Sequence, residues 1–176
     1  EIMGRRAYIA FRANNVLTIG KLVTRTVTHG AALAVGFGLG VYLLPILTAP
    51  SSPDQSMLEE TAQSAVYTAE FAQDLPGNDF LHWGEGTVSV TPSQIVHSGA
   101  LAPGPDYIVY LVPEFVQDEA EFEAVRATSL AIGSVKTFKG FVLDLPVGVD
   151  LEAYTTVLVW CEAFSEFIAA AQYRGT

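Results

Sequence analysis

Between Thr26 and Pro53 the chain carries no formal charge, and residues 30–47 read GAALAVGFGLGVYLLPIL. The 22 residues from Thr26 to Leu47 extend about 33 Å as a helix, which matches a bilayer hydrocarbon core of about 30 Å. A core helix of a soluble domain with this composition would have to be apolar all round and unusually long. The run also divides the charge. Residues 1–53 hold five basic groups (Arg5, Arg6, Arg12, Lys21 and Arg25) against Glu1, a net of +4, and residues 54–176 hold four against eighteen acids, a net of −14.

That asymmetry sets an expected topology. All basic residues of the first segment precede the run, and Asp54, Glu59 and Glu60 come after it, so the positive-inside rule puts the N-terminus in the cytoplasm and the C-terminal domain outside. The expected organisation is a basic cytoplasmic tail over 1–25 and a transmembrane helix over 26–48. A linker with a short helix comes next over 49–65, then an extramembrane domain over 66–176. Arg5-Arg6-Ala7-Tyr8-Ile9-Ala10-Phe11 is loosely like a twin-arginine signal. Arg12, Asn14, Asn15, Lys21 and Arg25 break any apolar stretch directly after it, and the apolar run is too long for a signal h-region, so the span is read as uncleaved.

With 50% hydrophobic and 16% charged residues and a mean hydropathy of +0.33, the chain is not intrinsically disordered. An outer body this acidic cannot neutralise phosphates, which excludes nucleic acid as a partner. Its acids, such as Asp118, Glu119, Glu121 and Glu123, could instead steer a basic soluble electron carrier.

Small residues recur along the span at intervals of four. Gly30, Ala34 and Gly38 form one row and Ala32, Gly36 and Gly40 another, the spacing that lets a second membrane helix approach closely. Other transmembrane subunits are therefore expected partners beside the bilayer itself. His29, at the cytoplasmic end, is a candidate contact for a pigment or lipid headgroup. Gly36-Phe37-Gly38-Leu39-Gly40 is not a dinucleotide fingerprint, since no third glycine at the right offset and no βαβ unit accompanies it.

Beyond the span, Ser52-Pro53-Asp54-Gln55 has the pattern of a capping box opening a helix over about 53–64. The period then changes to two. Tyr67/Ala69/Phe71 and Val88/Val90 alternate with polar neighbours, Tyr107–Val112 is a fuller apolar run, and further strands are expected at Leu130–Ile132, Val135–Phe138, Phe141–Leu143 and Thr156–Cys161. Turn signals fall at Pro76-Gly77-Asn78, Gly84-Glu85-Gly86, Pro103-Gly104-Pro105, Lys139-Gly140 and Pro146-Val147-Gly148, and the acidic stretch 114–128 reads as a helical excursion. Short strands at this spacing predict an all-β, antiparallel β-sandwich behind a single transmembrane helix.

Gly104-Pro105-Asp106-Tyr107-Ile108-Val109-Tyr110-Leu111 resembles the signature of the DM-thirteen domain, a small electron-transfer-type domain found beside DOMON domains in Skeletor-like proteins and alone in bacterial envelope proteins. His82–Val88, Ile132-Gly133, Phe138-Lys139-Gly140 and Leu145-Pro146 resemble its other segments in the correct order. Tyr154–Phe164, with Trp160-Cys161 at its centre, resembles its closing motif. The resemblance covers about 66–173, with an acidic insertion at 117–127 and a polar Gln172 as departures. It implies a β-sandwich and a redox role for the family's single cysteine, which falls on Cys161; with the topology above, the expected location is a bacterial inner membrane with the domain in the periplasm.

Cys161 is the only cysteine, so no intrachain disulfide can form. A lone thiol does redox chemistry when it is exposed and its pKa is lowered. Here it closes the apolar run Val157–Trp160 and is followed by Glu162, whose carboxylate would raise its pKa. Cysteine also serves as a small core hydrophobe. Cys-x-x-Cys, Cys-x-x-Cys-His, Walker, Gly-x-Ser-x-Gly and His-Glu-x-x-His patterns are missing from the sequence, and no cofactor or metal is expected. His82 and His97 could join Cys161 around a metal only if folding happened to gather them. Two readings stand: an accessory subunit of a membrane electron-transfer complex, photosynthetic or respiratory, and a redox domain acting through Cys161.

Overall fold

The structure is a computed structural model that describes residues 2–71 and 73–175, with the backbone alone for 2–17. Helix α1 (Ile2–Thr48) runs through the boundary expected between tail and span without a break. The side chains of Arg5, Arg6, Arg12 and Asn14 lie outside the described ones. Within α1, Thr18–Thr48 is a candidate membrane span: it is apolar enough to cross a bilayer, and none of its most apolar window is buried. The chain divides into two compact units after Val41. Pro45 lies inside the helix four residues further on, where its missing N–H leaves the Val41 carbonyl without its helical donor.

Helix α2 (Gln55–Ala62) is shorter than expected, and its N-cap is Asp54, whose side chain makes no capping bond. The capping box does not form. Gln55 donates to the Glu59 carboxylate at 3.0 Å and to the Ser98 hydroxyl at 3.1 Å, a tertiary contact that outcompetes the local one.

The strands are β1 (Tyr67–Phe71), β2 (Gly84–Val90), β3 (Gln94–Leu101), β4 (Tyr107–Val112), β5 (Leu130–Val135), β6 (Phe141–Asp144), β7 (Thr156–Cys161) and β8 (Glu166–Gln172). They form two four-stranded antiparallel sheets, ordered β1-β2-β3-β6 and β5-β4-β7-β8. This is the expected β-sandwich behind one long apolar helix. Helix α3 (Glu119–Val125) and a 3-10 turn (Arg126–Thr128) make up the acidic excursion. The Asp118 side chain caps α3 by accepting from the Glu121 N–H.

Several expectations need correction. Val135–Phe138 is not a separate strand, because β5 ends at Val135. Strands β3 and β8 add to the expected set; their sequences lack the clean alternation that marks the others. Gly84-Glu85-Gly86 is no turn but the opening of β2. Its second glycine serves close strand approach: Gly86 has φ +102°, and a Cβ there would sit 2.3 Å from the Ser98 carbonyl oxygen.

Alternation along β4 and β7 builds two apolar clusters on opposite faces of one sheet. Tyr107, Val109, Leu111, Val157, Val159 and Cys161 face the core between the sheets, with Phe71, Val88, Ile95 and Leu101 opposite. Tyr110, Val112, Leu158 and Trp160 face outward, where Phe122 of α3 and Val116 cover them. A register shift between Val159 and Trp160 pairs Val159 with Ala169 and Trp160 with Phe167. Ile168 is thereby the extra residue of a bulge, and it joins Ala169 on the inner face.

Candidate functional site

Cys161 is the last residue of β7 and lies directly opposite Tyr107 of β4. It is 3% exposed, and its thiol donates to the Pro105 carbonyl at 3.1 Å. The Gly104-Pro105-Asp106 loop therefore closes over the sulfur. Asp106 takes left-handed backbone (φ 53°), a conformation short polar residues tolerate better than most, and its carbonyl accepts from the Glu162 N–H at 3.0 Å. The loop is thus tied to the end of the cysteine strand from both sides.

Tyr107 explains the glycine. A Cβ at 104 would lie 2.2 Å from the Tyr107 hydroxyl and 2.7 Å from its ring. That hydroxyl donates to the Ala102 carbonyl at 3.0 Å, and the ring meets Phe138 edge-on at 6.3 Å. Burial, more than the nearby Cys161 sulfur or Tyr42, pushes the Tyr107 phenol well above its ordinary pKa.

Burial also pushes the Cys161 thiol up, partly offset by the backbone N–H groups of Phe164 and Ala163, while the Asp106 and Glu166 carboxylates add to the rise. The direction matches the expectation from sequence, but Glu162 is not the cause. Its carboxylate turns to the other face of the sheet, where it accepts from the Tyr110 hydroxyl and pairs with Arg126. A closed, protonated thiol is what this geometry maintains.

The other expected site residues do not gather here. Trp160 points away from Cys161 into the outer cluster, because neighbours on a strand face opposite ways. His82 is in the loop before β2 rather than on a strand, paired with Asp79 at 3.1 Å. His97 does lie on a strand; it is fully buried, with ring centroids of Phe71 and Phe141 each at 5.1 Å. Its Nε2 bonds to the Glu85 carbonyl at 2.9 Å, and its Nδ1 has no partner. Among the described residues no group of three His, Cys, Asp or Glu side chains is placed to hold a metal ion. In the candidate span, His29 Nδ1 donates to the Arg25 carbonyl one turn back, at 2.7 Å.

A cavity of about 450 Å³ adjoins the motif loop, lined by Gly104, Pro105, Asp106, Val135, Lys136 and Phe138 together with Leu44, Pro45, Thr48 and Ala49. It reaches the loop whose backbone accepts the thiol hydrogen bond. Sequence reasoning finds the motif but not Tyr107's role in shaping it, because that role depends on strand register.

Fold and site together define a small β-sandwich with one enclosed thiol, preceded by a candidate membrane anchor. The electron transfer DM13 (DM-thirteen) family matches residues 58–173, well over half of the chain, and the chain belongs to that family. No curated protein and no solved structure matches it.

Proposed function

We propose that this chain is an accessory subunit of a larger membrane electron-transfer complex, with its DM13 domain on the periplasmic face of a bacterial inner membrane. The supporting observation is the state of the span. Every described side chain from Thr18 to Gly40 is exposed, and a Cβ added at Gly30, Gly36, Gly38 or Gly40 would meet nothing within 4 Å. The described residues offer these small-residue rows no partner. The basic residues before the span favour a cytoplasmic N-terminus. The acidic domain suits docking of a basic soluble carrier. A photosynthetic or respiratory complex is the natural setting for a family of this chemistry.

Mild-detergent purification of the tagged protein, with mass identification of co-migrating chains, tests this reading. Membrane subunits of an electron-transfer complex should co-migrate in fixed ratio, and a lone monomer would overturn it. In a Cys161→Ser background, a cysteine placed at Ser52 should react with an impermeant thiol reagent in intact cells. One placed at Asn14 should not.

A second reading, that Cys161 itself is redox-active, is favoured by one observation: the Gly104-Pro105-Asp106 loop of the family motif closes over its sulfur through the Pro105 carbonyl. In that case the motif loop is the gate, since the thiol has to leave the Pro105 carbonyl before it can react. Loss of electron flow in Cys161→Ser with assembly intact would shift the conclusion to this reading.

A further inference from the structure

On the far side of the cysteine sheet, a second set of groups has the parts of a proton-coupled electron relay. Tyr110, 8% exposed, donates its hydroxyl to the Glu162 carboxylate. Arg126 pairs with that carboxylate and with Glu123 at 2.7 Å. The Tyr110 ring meets Phe122 at 5.1 Å, and Phe122 meets Trp160 at 4.8 Å. Phe122 and Trp160 are fully buried, so the stack is dry.

We propose that Tyr110 is a one-electron redox site, with Glu162 as its proton acceptor, serving a high-potential oxidised metal centre on a partner. Tyr110 gives one electron to that oxidant, which is reduced by one. Its phenolic proton moves along the existing hydrogen bond to Glu162, leaving a neutral tyrosyl radical and a neutral carboxylic acid. On re-reduction an electron returns and the proton moves back. The inference rests on the electron-transfer reading for its partner oxidant and goes beyond it in naming the residues of this domain that carry the electron and the proton.

The surroundings favour Tyr110 over the other oxidisable ring in the stack. The guanidinium carbon of Arg126 lies 5.9 Å from the centroids of both Phe122 and Trp160, so a cation radical on Trp160 would be repelled. The Trp160 indole N–H has no hydrogen-bond partner, which leaves it no acceptor for a proton. At Tyr110 the proton has somewhere to go, and Arg126 keeps Glu123 when Glu162 is neutralised. Burial, then the bond to Glu162, hold the phenol above its ordinary pKa, so it stays protonated until oxidised. Tyr67 makes a similar bond to Glu152, but that carboxylate is 66% exposed and open to exchange with water.

The test is flash photo-oxidation of the full chain in detergent micelles, with a ruthenium tris-bipyridyl complex as oxidant and the radical followed by transient absorption and electron paramagnetic resonance. A long-lived neutral tyrosyl radical is expected, lost in Tyr110→Phe and retained in Tyr67→Phe. Its formation should slow in deuterated water and stay flat in rate between the carboxylate and phenol titration ranges. Glu162→Gln should slow it by about a hundredfold, the low end of what a positioned base contributes, and make the rate climb with pH. A fluorinated tyrosine at 110, which preserves the packing, should add fluorine hyperfine splitting to the spectrum. Persistence of the long-lived radical in Tyr110→Phe would overturn the proposal. So would an unchanged rate and pH profile in Glu162→Gln, or a spectrum without fluorine splitting.

Discussion

Tyr107 and Cys161 face each other across the β4–β7 pair, yet the tyrosine hydroxyl donates to the Ala102 carbonyl and the thiol to the Pro105 carbonyl. Both side chains are bonded to the backbone of residues 102–105, the stretch that leads into the family motif. They hold that segment rather than each other, so the motif reads as a clamp built on one strand pair.

The clamp depends on the missing side chain at 104. Gly104→Ala should destabilise the domain by about 1–3 kcal/mol, the usual cost of overpacking, because the Tyr107 ring cannot retreat from its place in the core. Gly133→Ala, where the nearest side-chain atom would lie at an ordinary 3.5 Å, should cost much less. Denaturant midpoints of the two variants, compared at unchanged slope, measure the difference.

Cys161 should resist alkylation in the native protein and react fully once unfolded. Its raised pKa works in the same direction as its burial, since the reactive thiolate forms only above the range of a free thiol. Cys161→Ser should cost about 1–2 kcal/mol, softened by the Pro105 carbonyl that can accept from the new hydroxyl. Rapid labelling at neutral pH would show that the loop opens readily and would favour the redox reading.

His97 makes stability depend on pH in a definite direction. Burial holds its folded-state pKa below the ordinary value, against the smaller opposing effects of the Glu85 carbonyl and the Glu70 carboxylate. The unfolded chain therefore takes up a proton below about pH 6.5 that the folded chain refuses. Stability is full above that pH and falls below it, by up to about 1.4 kcal/mol for each unit until the folded-state pKa is reached. His97→Gln should remove this component while keeping a donor for the Glu85 carbonyl. Equal pH profiles for both proteins would show that His97 is not its source.

Replacing Gly36 and Gly40 by Leu tests the span without disturbing the domain. Among the described residues nothing beyond the helix's own backbone lies within 4 Å of a Cβ at either position, so folding and insertion should be unaffected. Bulk is added only where a partner helix would approach, so the accessory-subunit proposal expects co-purification of membrane subunits to fall. Unchanged co-purification would reduce the span to a tether.

Much of the architecture is legible in the residues themselves. An uncharged apolar run long enough for a bilayer, a switch from a helical period to period two, and glycine- and proline-marked turns need only local chemistry to be read. They lead to the long apolar helix, a candidate anchor, and to the sandwich. Strands β3 and β8 escape such a reading because their burial is set by what covers them. Gln94–Leu101 places a histidine in the core and Glu166–Gln172 packs three alanines beside a bulge, and neither choice looks like a strand until the opposing sheet is present. The motif around Cys161 is visible as letters, but its meaning is not. Register alone decides that Cys161 faces Tyr107 and the Pro105 carbonyl while Trp160 and Glu162 turn outward to Phe122, Arg126 and Tyr110. Side-chain direction in a strand alternates with every residue, so an adjacent pair in sequence is a separated pair in space, and only pairing across the sheets shows which groups meet.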